Sequence, residues 1–242
     1  SLQANTTGAY NTAQGVNSLY SNTTGNYNTA TGYASLYTNT TGTYNTAQGN
    51  ESLYTNTTGT NNTAQGYQSL QSNTTGDSNI ATGMYSLRSN TTGNYNTAVG
   101  YEAGRYQSDS STNPSGSKSV YIGYNTKASG SVDAETNQIV IGSEAIGIGS
   151  NTVVLGNDSI TTTALKGNVG IGTTTPSQKL TISGSISASG ALYLDGKLYD
   201  VNNAAGSSGQ ILSSTGTGVD WVDASTVSVN GTGSANYISR WV

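Results

Sequence analysis

Polar residues and isolated apolar residues alternate over the first hundred positions in a pattern that returns every 17 residues. Each unit follows the approximate form NTTG-x-Y-NTA-x-G-Y-x-SL-x-S, without an insertion. A short fixed period, with glycines at two set places, predicts two short strands and two turns per unit, stacked along one axis. We therefore predict an all-β fold with a β-roll or β-solenoid over residues 1–104. The Asn-Thr-Thr-Gly tetrapeptide that marks the period begins at Asn5, Asn22, Asn39, Asn56, Asn73 and Asn90.

The apolar residues of the repeats form two columns, one of leucine and one of alanine. Burying a leucine contributes about 1.5–3 kcal/mol, whereas ordering the backbone costs about 1–2 kcal/mol for each residue. One leucine and one alanine per unit are therefore not expected to fill the interior of a single chain. We expect an intertwined homotrimeric fibre in which the columns of three chains meet in a shared core. The predicted trimer core consists of Leu19, Leu36, Leu53, Leu70, Leu87, Ala30, Ala47 and Ala64.

The recurring asparagines have two interpretations. In a stack of coils each asparagine lies about 4.8 Å from the equivalent one, so that the side-chain amides can form a ladder. The Asn-Thr-Thr sites also match the acceptor for N-linked glycosylation. Asparagine that forms turns and ladders is the favoured interpretation, because its side chain also bonds to nearby backbone groups.

The pattern changes from about residue 118 to a seven-residue spacing that is richer in valine and isoleucine, with glycines at Gly142, Gly149 and Gly156. Residues 105–117, RYQSDSSTNPSGS, interrupt the repeats and predict a surface loop. We accordingly predict a second segment over 105–158, a Val/Ile-rich roll with a loop insertion. Residues 159–242 are predicted to form a trimeric β shaft, with a hairpin near 191–199 around the Asp-Gly of LYLDGKLY.

Two resemblances accompany these segments. The stretch IVIGSEAIGIGSNTVVLGN resembles the β-roll heads of trimeric autotransporter adhesins, in which glycine closes each turn and small or β-branched residues face the trimer axis. Three segments of the last region resemble phage tail-fibre shafts: NVGIGTTTPSQKLTISGSISASG, AAGSSGQILSSTGTGVDWV and NYISRWV. Adhesins of that type would carry heptad coiled-coil stalks, yet residues 160–242 show no sustained heptad pattern.

The resemblances imply a structural and adhesive protein, first of all a bacteriophage tail fibre involved in host attachment. A bacterial trimeric surface adhesin head is the alternative. Either implies a homotrimer that contacts a host cell-surface glycan or protein, located in the virion tail fibre or at a cell surface. The chain starts at Ser1 and ends just after a strand-like run, so we expect both ends to continue in a longer polypeptide.

Composition limits the chemistry of the chain. Leu, Ile and Val account for 39 of 242 residues and Phe is absent, which is below the level of a self-sufficient globular core. A net charge of −4 with eight Lys plus Arg provides no basic surface for nucleic acid or anionic membranes. Cysteine and histidine are absent, and no apolar run is long enough to span a bilayer.

Catalytic and metal sites are not expected. Glycoside hydrolysis uses two carboxylates across the scissile bond, but Glu51 and Asp77 are the only acids in the first hundred residues. The acidic pairs of the last region, Asp195 with Asp200 and Asp220 with Asp223, are expected to be turn or surface groups. A calcium β-roll would need Gly-Gly-x-Gly-x-Asp repeats, which the chain lacks. We predict no enzyme activity, no cofactor and no metal.

Tyrosine columns are the candidate binding residues. Exposed aromatic rings can pack on sugars, but stacked aromatic neighbours also stabilise β-structure, and this second role is favoured. A third function, an ice- or matrix-binding solenoid, is disfavoured because Asn-Thr-Thr places adjacent threonines on opposite faces of a strand. The possible glycan-contact residues are Tyr20, Tyr37 and Tyr54, which follow the leucines, and Tyr33 and Tyr67, which follow the glycines.

Overall fold

The chain is all-β in every part that the computed structural model describes, and no helix occurs among those residues. The described residues are 1–107, 112–113, 115–130, 135–187, 189, 199, 205–208, 210–214 and 219–223. They confirm the predicted β class and the predicted solenoid of about 17-residue turns. Two compact units divide the chain, Ser1–Ala164 and Leu165–Val242, and each is described by itself.

The first unit is a parallel β-solenoid with nine strands hydrogen-bonded in chain order in one sheet. Equivalent residues pair across neighbouring coils, so that Ala13 is opposite Ala30 and Ala30 is opposite Ala47. The same sheet continues through the predicted loop insertion into the Val/Ile-rich segment. Its strands are β1 Thr12–Gln14, β2 Thr29–Thr31, β3 Thr46–Gln48, β4 Thr63–Gln65, β5 Ile80–Thr82, β6 Thr97–Val99, β7 Val120–Ile122, β8 Gln138–Ile141 and β9 Thr152–Leu155.

Each 17-residue coil contains one strand, so the prediction of two strands per unit is wrong. The Thr-Ala-Gln segment forms the strand, with alanine pointing inward and its neighbours outward, as the alternation of a strand requires. The leucine segment stays in turns because its leucine has a positive φ, 49° at Leu19 and 51° at Leu36. A left-handed residue in every coil interrupts extended backbone, which needs negative φ.

A single chain fills the interior of its own solenoid. The leucine and alanine columns of the predicted trimer core are fully buried in one chain, with Leu19, Leu53 and Ala47 all at 0% exposure. Columns of asparagine and serine complete the interior, so the premise that one leucine and one alanine per coil cannot fill it is wrong. The homotrimer itself stays a prediction. The buried polar columns include Asn22, Asn39, Asn56 and Asn73, then Asn28, Asn45, Asn62 and Asn79, and also Ser18, Ser35, Ser52, Ser69 and Ser86.

The coil becomes shorter towards the end of the first unit. Ile139 pairs with Val153, 14 residues further along the chain, so the seven-residue spacing in the sequence corresponds to half a coil. Gly142 and Gly156 occupy stacked corners of successive coils, and both have positive φ. The predicted loop lies between β6 and β7, and residues 108–111 and 114 of it are outside the described part.

The second unit contains two small sheets. Strands β10, Val169–Ile171, and β11, Leu180–Ile182, pair in parallel. Strands β12, Gln210–Ser214, and β13, Val219–Asp223, pair antiparallel. The hairpin predicted near 191–199 lies outside the described residues, apart from Tyr199, which forms an isolated antiparallel bridge with Ala205.

Candidate functional site

The asparagine ladder occupies the interior and explains why the Asn-Thr-Thr motif repeats. Asn39 Nδ2 donates to Asn22 Oδ1 at 2.8 Å and to the Gly42 carbonyl at 3.0 Å. The amide of Asn56 bonds in turn to Asn39. Because these buried amides are hydrogen-bonded, their burial does not carry the free-energy penalty of an unpaired polar group. Five of the six motif asparagines are buried to within 1%, which leaves their side chains no room to carry a glycan.

Two tyrosine ladders run along the outside of the solenoid. The rings of Tyr20, Tyr37 and Tyr54 stack with centroids 5.1 Å apart at each step and planes within 13° of parallel. A second ladder of Tyr10, Tyr27 and Tyr44 has centroid spacings of 4.8 and 4.9 Å. Stacking covers part of each ring face with the next ring, which is the arrangement that the favoured interpretation gives for the column of Tyr20; the column of Tyr10 was not singled out from the sequence.

The other two candidate residues, Tyr33 and Tyr67, lie in a separate column and are more exposed than Tyr20, Tyr37 and Tyr54. Tyr33 is 50% exposed, and Tyr67 is 41% exposed with an edge-to-face contact to Tyr85 at 5.4 Å. The five predicted glycan-contact residues are therefore divided between a continuous ladder and two separated rings. A ring that is not covered by a stacked neighbour offers the better platform for another ring or for a sugar.

A cluster that the sequence reasoning missed surrounds Tyr85. The guanidinium carbon of Arg88 lies 5.3 Å from the Tyr85 ring centroid, and that of Arg105 lies 4.7 Å from it, both within cation–π range. Tyr101 makes an edge-to-face contact with Tyr85 at 6.0 Å. We call this group the Tyr85 cluster, and it consists of Tyr67, Tyr85, Arg88, Tyr101 and Arg105.

A signal for this cluster exists in the repeat. The column that follows the leucines holds tyrosine in three coils and then changes to Gln71 and Arg88. Tyr85 lies in a column that holds Glu51 and Gln68 in the preceding coils. A departure from the repeat is where a common scaffold can acquire a local site, because the backbone stays the same while the side chain changes.

Hydrogen bonds position Arg88. Its Nε donates to Gln71 Oε1 at 2.8 Å, and Gln71 Nε2 donates to the Glu51 carboxylate at 2.7 Å. The second guanidinium, on Arg105, forms an ion pair with Glu102. Partial loss of hydration raises the pKa of Tyr101 above its usual value, and the neighbouring Glu102 charge raises it further. The Tyr101 phenol is therefore protonated, and able to donate a hydrogen bond, at neutral pH.

The outward side chains of β1–β9 form a second surface, which we call the outer sheet face. Over β1–β4 these side chains are threonine and glutamine, as in Thr46 and Gln48. From β5 onward they become mostly apolar, and Ile80, Val99 and Val153 are among the exposed examples. None of the outward residues on these nine strands is charged. A charge-free face with a growing apolar area differs from the usual solvated surface of a monomer.

Metal-binding clusters and membrane-spanning helices are absent from the described residues. There, no group of three His, Cys, Asp or Glu side chains is placed to hold a metal ion. No helix in the same part of the chain has the length and apolar character needed to cross a bilayer. Of the acidic pairs named from the sequence, Asp195 and Asp200 lie outside the described residues, whereas Asp220 and Asp223 belong to β13.

Comparison of the chain with protein-family models, with curated proteins and with solved structures found no match. The fold is therefore established by the geometry of the chain itself, a parallel β-solenoid with about 17-residue turns. The resemblances to phage tail fibres and trimeric adhesins come from short segments, and they support a proposal about function.

Proposed function

We propose that this chain is a structural and adhesive fibre protein, a segment of a bacteriophage tail fibre that takes part in host attachment. The observation that carries the proposal is the unbroken in-register stack of nine parallel strands from Thr12 to Leu155. Each coil bonds to the next through backbone and side-chain ladders, so the stack is stiff and can be lengthened by adding repeats. Such a rod holds binding groups at a distance from the body that carries it.

The exposed tyrosines support the adhesive part of the proposal. Tyr10, Tyr33 and Tyr44 project from the rod in columns that repeat along its length. Aromatic rings with a polar hydroxyl are common where proteins bind other molecules, because they combine apolar area with hydrogen bonding. A host cell-surface glycan or protein is the partner that this surface suits.

A homotrimer is the proposed working form, and the outer sheet face is its proposed contact surface. The leucine and alanine columns are buried inside each chain and therefore are not available for contact between chains. The outer sheet face is free of charge and exposes Ile80, Val99, Val153 and Leu155 to solvent in one chain. Contiguous exposed apolar area of this kind marks an interaction surface. Three copies around an axis would cover these faces together.

The native mass of the purified chain tests the homotrimer. We expect light scattering to give three times the chain mass of 24.7 kDa, on a sample whose far-ultraviolet circular dichroism is β-rich. A folded, β-rich monomer would contradict the trimer and would favour a single-chain solenoid with a binding face over a tail fibre. The parent gene then distinguishes the two fibre types, since a membrane barrel identifies an adhesin and a particle-attachment domain identifies a phage fibre.

One observation favours a second candidate function, an ice- or matrix-binding solenoid. Exposed threonines Thr12, Thr29, Thr46 and Thr63 lie in register on the outer sheet face, each on a strand. The Asn-Thr-Thr motif, which was the basis for disfavouring this function, is not the segment that forms this column. Thermal hysteresis of the purified chain would support the second function, and its absence would leave self-association as the role of this face.

A further inference from the structure

We propose that the Tyr85 cluster is a binding site for acidic saccharides, sugars that carry a carboxylate or a sulfate group. The inference rests on the proposed adhesive function and names the class of ligand for it. The cluster combines aromatic rings with two guanidinium groups on the outside of the solenoid. An aromatic ring packs on the apolar face of a sugar, and a guanidinium binds an anionic substituent.

Arg88 supplies the positive charge. Arg105 is paired with Glu102, whereas Arg88 has no carboxylate within ion-pair distance in the described part of the chain. Its Nε is used by Gln71, which leaves the terminal amino groups of the guanidinium for a ligand. Those groups form a planar fork that matches the two oxygens of a carboxylate or sulfate. The charges of Arg105 and Glu102 offset each other, which leaves Arg88 as the cation for a ligand.

The rings around Tyr85 have a different arrangement from the ladders. Tyr67 and Tyr101 meet Tyr85 at interplanar angles of 77° and 76°, whereas ladder rings such as Tyr27 and Tyr44 are within 3° of parallel. An edge-to-face contact uses the edge of one ring and leaves other faces uncovered. Both flanking rings are exposed to solvent. Tyr101 also stacks on Tyr124, so Tyr67 is the flanking ring with an uncovered face for a sugar.

The guanidinium is already positioned before a ligand arrives. Glu51 accepts hydrogen bonds from Gln68 at 2.6 Å and from Gln71 at 2.7 Å, and Gln71 in turn accepts from Arg88. A side chain that is held in place loses less conformational entropy on binding. The Glu51 charge is linked to Arg88 through the single amide of Gln71 and partly offsets the guanidinium charge, while the terminal amino groups of the guanidinium remain for the ligand.

The test compares acidic and neutral polysaccharides in affinity electrophoresis of the full chain through native gels. Hyaluronan presents carboxylates, chondroitin sulfate presents sulfates as well, and dextran is neutral. We expect retardation by at least one of the acidic polymers and none by dextran, and the retardation should weaken as salt is raised. Retardation by both acidic polymers indicates that the carboxylate suffices, and retardation by chondroitin sulfate alone indicates that sulfate is required.

A matched pair of variants locates the site. We expect Arg88→Gln to weaken binding at least tenfold, while Lys118→Gln, which removes one exposed cation from a different column, leaves it within about twofold. Circular dichroism of both variants should match that of the parent chain. The proposal is overturned by equal retardation in dextran, by unchanged binding of Arg88→Gln, or by no retardation in either acidic polymer. These outcomes do not depend on the native mass, so the fibre proposal stands or falls separately.

Discussion

At the scale of the residue, asparagine acts in this protein as a core residue. Asn56 is fully buried, yet both ends of its amide are bonded to the coils on either side. Asn50, by contrast, is exposed on a turn and is not part of the ladder. A buried amide is favourable only while its partners remain, because an unpaired buried donor or acceptor keeps its full desolvation cost.

Replacing one asparagine in the middle of the ladder should therefore destabilise the fold. Asn56→Ala removes the donor to Asn39 Oδ1 and to the Gly59 carbonyl, and the acceptor for Asn73. We expect it to lower the free energy of unfolding by about 2–4 kcal/mol. Guanidinium unfolding followed by circular dichroism measures the change.

The control is the same substitution at exposed Asn50, which we expect to change stability by less than about 0.5 kcal/mol. Equal effects at Asn50 and Asn56 would contradict the structural role of the ladder.

The glycine corners of the coils should tolerate no side chain. A Cβ at Gly32 would lie 2.6 Å from the Gly49 carbonyl oxygen and 2.7 Å from its carbon, in a backbone with φ of 128°. We expect Gly32→Ala to destabilise the chain by at least about 3 kcal/mol, because backbone strain and a backbone clash add.

Gly149 provides a matched control for the clash alone. Its φ is 129°, but nothing lies within 4 Å of an added Cβ. Gly149→Ala should therefore cost only the strain, about 1–3 kcal/mol. Thermal unfolding measures the stability of the two variants. If Gly149→Ala is as unstable as Gly32→Ala, backbone strain, and not the clash with the next coil, determines why these positions require glycine.

At the scale of the element, the unit of the fold is the whole coil. A strand of three residues is short, and it is stable here because the same coil adds two asparagines, a serine and a leucine to continuous interior columns. The strand of each coil pairs with the strands of the coils before and after it, as in other repeat proteins. Stability therefore depends on keeping the period more than on any single strand.

A deletion that preserves the period should preserve the fold. Removing residues 56–72, one whole coil, joins Thr55 to Asn73 in place of Asn56 and keeps every column in register. We expect a β-rich circular dichroism spectrum and a cooperative melt close to that of the parent chain. Removing residues 56–64, about half a coil, shifts the columns and should abolish the cooperative melt. Equal behaviour of the two deletions would contradict the coil as the unit.

At the scale of the whole molecule, the first unit presents two unlike surfaces. The tyrosine columns and the Tyr85 cluster lie on the turns and bends of the coils, whereas the strands form the charge-free outer sheet face. Strands without charge are suited to joining copies, and turns with exposed aromatic rings are suited to binding partners. The proposed trimer thus uses a different surface from the columns that the sequence pattern suggested.

Charges placed on the outer sheet face should separate the copies. Ile80→Lys combined with Val99→Lys replaces two exposed apolar side chains of that face with cations. We expect the light-scattering mass to fall from that of a trimer to that of a monomer, because a buried unpaired charge is costly at an interface. Tyr33→Lys, in the turn after β2, is the control and should keep the trimer mass. Trimers that persist in the double variant would place the contact elsewhere.

The repeat by itself determined much of this protein. An exact 17-residue period implies equivalent coils. Equivalent coils stacked in register bring each motif asparagine against the next one, as Asn22 against Asn39, so the asparagine ladder follows from the spacing alone. The tyrosine ladder follows in the same way, since Tyr20 and Tyr37 differ by one period. What the period could not tell was the path of the backbone within one coil.

That path decided the remaining features. The positive φ at Leu36 and its equivalents turns the leucine inward within the same chain, which is why one chain fills its interior. The turn after the strand brings Tyr85 beside Arg88 of the same coil and beside Arg105, which follows Arg88 by one period. Columns that are several residues apart become neighbours only through the geometry of the turns between them. Periodicity specifies what stacks along the axis, and the tertiary structure decides what meets around it.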